Sequence, residues 1–316
     1  LNLDSEDEGE IFIGCAGGID TLAKLPFDKE ETPAGAYFRI YVKGLKGGHS
    51  GDDINKGLGC ANKLLNRILW AADKEMDMRL ATFDGGNLRN AIAREAYADV
   101  VVMEQEAEDL KSLVERYASE LKYEFRTTEP AMQVGIETIA KPEFVVDMLS
   151  QDNLLNVLYA CPHGVLAMSR EIPGFVETST NLASVKMQEG YFMITTSQRS
   201  SLESAKDAAA SRVESCFLLA GADVEHTDGY PGWSPNTDSY VLKVAVESYK
   251  RLFGKEPIVR AIHAGLECGL IGEKYQGMDM ISYGPTLRGV HSPEERLEIA
   301  TVELFWRHTL DILKNI

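Results

Sequence analysis

The stretch AYFRIYVKGLKGGHSGDD, residues 36–53, decides how the fold is read. Phe38, Ile40 and Val42 alternate with Tyr37, Arg39, Tyr41 and Lys43, the period of a strand buried on one face. Glycines 44, 47, 48 and 51 break that run around His49. Ile54, Leu58, Ala61, Leu65 and Ile68 then recur at helical spacing, which predicts an amphipathic helix over 54–71.

Strand, glycine loop and helix belong to an α+β unit, and the chain carries signs of a second copy. NLRNAIAREAY (87–97) and NLASVKMQEGY (181–191) share Asn, Leu, Glu and Tyr at places 94 residues apart. Each is followed by a β-rich run (98–103 and 192–197) and a helical one (107–123 and 202–218). The shared order predicts duplication of a ferredoxin-like unit. Its antiparallel sheet would be backed by helices on one face, over residues 24–229.

The flanks have another texture. EIFIGCAGG (10–18) reads as a short strand stopped by glycines, and 24–35, with Pro26, Pro33 and Gly35, as a linker. YPGWSPN (230–236) is a turn-rich boundary. Beyond it a helix is expected at 238–253, closed by Gly254, then a strand at 257–263, a helix at LECGLIGEKY and a strand at 278–284. Ser292-Pro293-Glu294-Glu295 has the form of a capping box opening a last long helix. Strand–helix–strand alternation predicts a parallel α/β layer made of residues 1–23 and 230–316, with the α+β domain inserted between them.

The formal net charge of −17 argues against sequence-independent nucleic-acid binding and against docking on an anionic membrane. No run approaches a transmembrane length, and the opening LNLDSEDEGE is not a signal peptide, so a cytoplasmic protein is expected. The first residue is Leu, which suggests numbering that begins within a longer protein. Cysteines 15, 60, 161, 216 and 268 are widely spaced, without CxxC, and read as free thiols in a reducing compartment.

Few residues announce chemistry individually. His291, on a strand-to-helix loop, and Asp4, in an acidic run, could pair on zinc or could be solvated surface groups. His49 lies in a loop without the GK[ST] of a phosphate cradle, leaving a turn histidine or a catalytic one. Arg199 could fork onto a substrate carboxylate or onto a neighbouring acid. Asn90 and Gly265 also read as a turn amide and a helix-entry glycine. No GxSxG appears, which argues against a serine hydrolase.

Taken in order, LDSEDEGEIFIGCAGG, VKGLKGGHSGDDINKG, NLRNAIARE, HAGLECG and GVHSPEER resemble the metallo-dipeptidases of the zinc exopeptidase superfamily, nearest to their Xaa-His branch. The resemblance runs from Leu1 to Ile316. It implies a three-layer α/β catalytic domain with an inserted lid that forms a homodimer, and hydrolysis of short peptides such as aminoacyl-histidines. It also implies two zinc ions per active site, with manganese or cobalt as possible replacements. Asp4 and His291 match metal ligands. His49 matches the lid histidine that reaches the partner subunit's site and stabilises the oxyanion. Asn90 and Arg199 match substrate-binding residues, Arg199 on the C-terminal carboxylate, and Gly265 a backbone contact; Asn87 is a less apt substitute for Asn90. In such sites the metals polarise the scissile carbonyl and acidify a water, on which a glutamate acts as base.

The family's HxD motif and paired glutamates have no counterpart in this sequence. His163, His226, His263 and His308 stand in other contexts, and the HTD within EHTDG falls before a turn at the far end of the lid. The polypeptide as it stands is therefore expected to be inactive, with activity belonging to a longer protein. A non-catalytic dimerisation or binding fragment, and a related aminoacylase or carboxypeptidase, are the alternative readings.

Overall fold

The computed structural model describes residues 1–290 and 294–316. A small layer opens with β1 (Glu10–Cys15), after which the chain crosses at once into a large sheet through β2 (Gly17–Pro26). There follow β3 (Lys29–Glu31), β4 (Ala36–Lys43), α1 (Ala61–Glu75), β5 (Arg79–Gly85), β6 (Ala96–Val102), α2 (Ala107–Glu124) and β7 (Gln133–Thr138). β8 (Phe144–Val146), α3 (Met148–Ala160), β9 (Gly164–Met168), β10 (Val176–Gln188), β11 (Tyr191–Ser200), α4 (Glu203–Leu219) and β12 (Asp223–His226) complete the large part. The small layer resumes with α5 (Tyr240–Phe253), β13 (Ile258–Ile262), α6 (Glu267–Lys274), β14 (Leu287–Arg288), β15 (Arg296–Leu297) and α7 (Ile299–Asn315).

Among the described residues, nine antiparallel strands form one sheet in the order β12-β2-β11-β10-β5-β6-β4-β7, with β9 also on β10. β4 shows the expected alternation, Phe38, Ile40 and Val42 facing the core. Helices α1–α4 pack on that face over one hydrophobic core, to which α1 contributes Leu65, Ile68 and Leu69. The small layer has a parallel pair, β1 with β13, and its own cluster of Ile11, Ile13, Leu242, Ala245, Ile281 and Ile312.

Several local expectations change. The helix begins at Ala61, not Ile54, because Gly57 takes φ +67° and residues 51–56 form turns. Residues 24–26 are not linker but the end of β2, whose Gly17 and Gly18 permit close approach: a Cβ on Gly17 would lie 2.4 Å from the Gly232 nitrogen. Within 278–284 only Ser282 bridges, to Asn2 and Phe12. Residues 87–94 lie outside any strand, with a single bridge at Ala91, where their counterparts 181–188 are strand. The last helix starts at Ile299, since Arg296–Leu297 pair with Leu287–Arg288. Ser292 and Pro293 of the supposed capping box lie outside the described residues. Gly254 does close α5 in the left-handed conformation, and all five cysteines are free. Among the described residues, no helix is long and apolar enough to cross a membrane.

Candidate functional site

The loop after β4 turns on Gly44 and Gly47, both at positive φ, and runs back beside residues 90–92. His49 bridges Ala91, the Ser50 amide donates to the Asn90 carbonyl at 2.8 Å, and Ile92 donates to Gly48. Buried Asn181, in the middle of β10, donates Nδ2 to the Ala91 carbonyl at 2.8 Å. The loop bearing Asn90 is thus held from both sides.

The His49 amide donates to Asp53 Oδ2 at 2.6 Å, and its Nδ1 accepts from the amides of Gly51 and Asp52 at 3.3 and 3.2 Å. A ring that accepts at Nδ1 carries the proton of its neutral form on Nε2. Burial opposes the charge on Asp53, but hydrogen bonds from Lys56 and the His49 amide outweigh it and hold this carboxyl below its usual range.

The sheet supplies a firmer wall. Arg199, near the end of β11, is only 7% exposed and sits opposite Ser179 in the β10 register. Its Nε donates to Ser50 Oγ at 3.3 Å and its Nη1 to the Tyr230 hydroxyl at 2.7 Å. Ser179 Oγ shares a 2.7 Å hydrogen bond with His263 Nε2. Burial first, then the positive fields of Arg199 and His49, push His263 down to about 3. It is therefore a neutral imidazole at ordinary pH.

A cavity of about 770 Å³ lies where these elements meet. His49, Gly51 and Asp52 line one side, His263 to Gly265 another, and Asp4, Glu6, Asp7 and Glu10 an acidic rim. The loop and the small layer touch closely, for a Cβ on Gly51 would lie 2.1 Å from the His263 carbonyl oxygen.

Asp4, His49 and Gly265 therefore face one cavity, Arg199 adjoins it through Ser50, and Asn90, itself exposed, adjoins it through its carbonyl. Asn87 accepts from Lys186 at 2.9 Å and lines a separate hollow of about 480 Å³. His291 lies outside the described residues. His49 stands on a cavity that Asp4 of its own chain also lines, whereas the resemblance directs it to a partner. The sequence context sets His263 aside and does not single out Ser179 or Tyr230. Their only signals were the HAGLECG and YPGWSPN contexts and a strand serine paired with Arg199.

The cavity thus has an arginine beside it that suits a carboxylate, and a rim on which Glu10 pairs with Arg260 at 3.1 Å and Asp7 with Arg288 at 2.7 Å. Among the described residues, no group of three or more His, Cys, Asp or Glu side chains could hold a metal ion. The described donors thus do not by themselves fit a dinuclear centre.

Residues 35–129 match the peptidase dimerisation domain of the M20 family. The whole chain is 44% identical to the cytosol non-specific dipeptidase of Escherichia coli K12, covering 65% of that protein. It also superposes on the aminoacylhistidine dipeptidase of Vibrio alginolyticus with a TM-score of 0.96 and 41% identity, again covering 65% of that chain. This polypeptide thus spans slightly less than two thirds of each relative's length. Along its whole length the chain is similar to these two dipeptidases, and within it residues 35–129 match the M20 dimerisation domain.

Proposed function

We propose that this chain forms the substrate-gripping and lid portion of a cytosolic metallo-dipeptidase that hydrolyses Xaa-His and other short peptides. The observation that carries the reading is the shared cavity, with Asp4, His49 and Gly265 on its wall and Arg199 fixed beside it. In this reading Arg199 receives the C-terminal carboxylate with the guanidinium edge left by Ser50 and Tyr230. The backbone at Gly265 aligns the peptide, and Asn90 holds it from the opposite loop. His49 donates from Nε2 to the oxyanion that develops during attack, a contribution of a few kcal/mol in comparable sites.

The metals, zinc in the first instance, would draw Asp4 and His291 from this chain and their other ligands from the rest of a longer protein. The dimerisation domain would make a homodimer through the large sheet layer. The order strand, strand, helix in β5-β6-α2 and β10-β11-α4 supports an origin by duplication of a ferredoxin-like unit.

Because the described donors do not complete a metal centre, we expect this polypeptide alone to retain almost no zinc after dialysis and to leave Gly-His intact. Elemental mass spectrometry and a ninhydrin assay test this together. Two zinc ions per chain with brisk hydrolysis would overturn it. In the longer protein, Arg199→Ala should raise KM for Gly-His at least about tenfold, the scale of a lost charge-assisted hydrogen bond. Unchanged KM would remove the carboxylate assignment. The donor shortage also favours a second reading, a dimerisation or binding module without catalysis, and Gly-His hydrolysis by the longer protein separates the two: turnover there supports the dipeptidase and its absence supports the module.

A further inference from the structure

Tyr230 is the first residue of the turn that returns the chain to the small layer, and nothing in the proposed reaction uses it. Its hydroxyl accepts the 2.7 Å hydrogen bond from Arg199 Nη1, shorter than the 3.3 Å bond from Arg199 Nε to Ser50. The ring is held between two glycines. A Cβ on Gly18 would come within 2.7 Å of ring carbons and the hydroxyl, and one on Gly265 within 2.9 Å of the ring's opposite edge. The backbone is fixed too: Tyr230 exchanges hydrogen bonds with Gly18 at 2.9 and 3.0 Å, and its carbonyl accepts from Lys206 Nζ at 3.1 Å.

We infer that Tyr230 is a positioning residue that aims the Arg199 guanidinium at the substrate carboxylate and ties that aim to the Gly265 backbone. The inference rests on the carboxylate role proposed for Arg199. The ring touches both β2 of the large sheet and the turn after β13, so it sets the two contacts of the substrate's C-terminal half in one rigid arrangement. Burial pushes the tyrosine hydroxyl up in pKa, with Arg199 pulling the other way, so the group is protonated near neutrality and does not cancel the arginine's charge.

Tyr230→Phe keeps the ring between its glycines and removes only the acceptor, so the fold should survive. Calorimetry with Gly-His and with its C-terminal amide, on the full chain as it exists, reads the carboxylate preference. NMR of the Arg199 guanidinium reads its rotation without any ligand. The wild type should prefer the acid over the amide about tenfold or more, a difference worth about 1.4 kcal/mol. Tyr230→Phe should lose most of that preference, leave amide binding unchanged and speed guanidinium rotation. Adding Tyr230→Phe to Arg199→Lys should change nothing further. Retained preference with retained slow rotation in Tyr230→Phe would overturn the inference. A wild type that binds acid and amide equally would instead overturn the role of Arg199, and the NMR result alone would then decide whether Tyr230 fixes the guanidinium.

Discussion

The large sheet and the small layer meet the demand for burial in opposite ways. The sheet closes its own core: Phe83 and Phe192 are fully buried beneath α1–α4, and Phe217 of α4 is fully buried against them from the helical side. The small layer has its cluster on one side only. On α7, Ile299, Val302, Trp306, Leu310 and Leu313 follow one another at helical spacing on a single face, with Ile299 84% and Trp306 56% exposed. β13 pairs with β1 and leaves Ile258 and Val259 exposed. An apolar face of this extent marks a surface built to be covered. The contrast continues into the cavity, where the sheet provides a buried, hydrogen-bonded wall and the small layer an acidic rim. One half of the site is organised by its own packing, while the other depends on what lies against it.

The sharpest way to break this contrast is to cut into both layers. Phe192→Ala, which removes a ring packed 5.0 Å from Phe27, should cost about 3–5 kcal/mol in urea unfolding. An equal cost for an α7 face residue would erase the distinction.

Acid probes the seam between the layers. His263 titrates at about 3 in the fold against 6.5 for the free side chain. As pH falls below 6.5 the unfolded chain takes up a proton that the folded one refuses. Stability is therefore lost between pH 6.5 and 3, by no more than about 1.4 kcal/mol per unit from this group. His163, held at about 4 by burial within the large part, acts in the same direction. His263→Asn should flatten part of the slope in a pH series of melting curves, and an unaltered slope would refute the assignment.

Gly51→Ala tests the contact itself. Its new methyl would meet the His263 carbonyl, and we expect a loss of about 1–3 kcal/mol with weaker Gly-His binding, read by thermal melting and calorimetry. The smallest effect belongs to Trp306→Ala, within about 0.5 kcal/mol in urea, accompanied by reduced binding of an apolar dye.

How much of this was legible depends on the range of the forces involved. The alternation in Ala36–Lys43 and the Gly254 cap are local, and they appear in the structure where the sequence places them. The sequence pattern places the start of α1 too early because Ile54 is buried from a turn and so mimics a helical contact. Gly17 and Gly18 read as strand stops, yet they are glycine because Tyr230 and Gly232 press against them from more than two hundred residues away in sequence. The context of His263 in the sequence is uninformative for the same reason: its partner Ser179 and the neighbouring Arg199 arrive through sheet register, which periodicity does not report. His49, Arg199 and Gly265 were singled out as candidates, but their grouping around one turn and one tyrosine was not visible in the sequence.

The two crossings between the layers are themselves paired. Cys15 and Trp233 exchange two backbone hydrogen bonds of 2.9 Å, and Gly18 and Tyr230 exchange another two. A single connecting strand would act as a swivel, free to turn about its own length. Two strands stitched side by side behave like a strap: they flex across their flat face but resist twisting, because a twist would shear the four hydrogen bonds. Relative motion of the layers is thereby reduced to one easy direction, and any opening of the cavity must follow it.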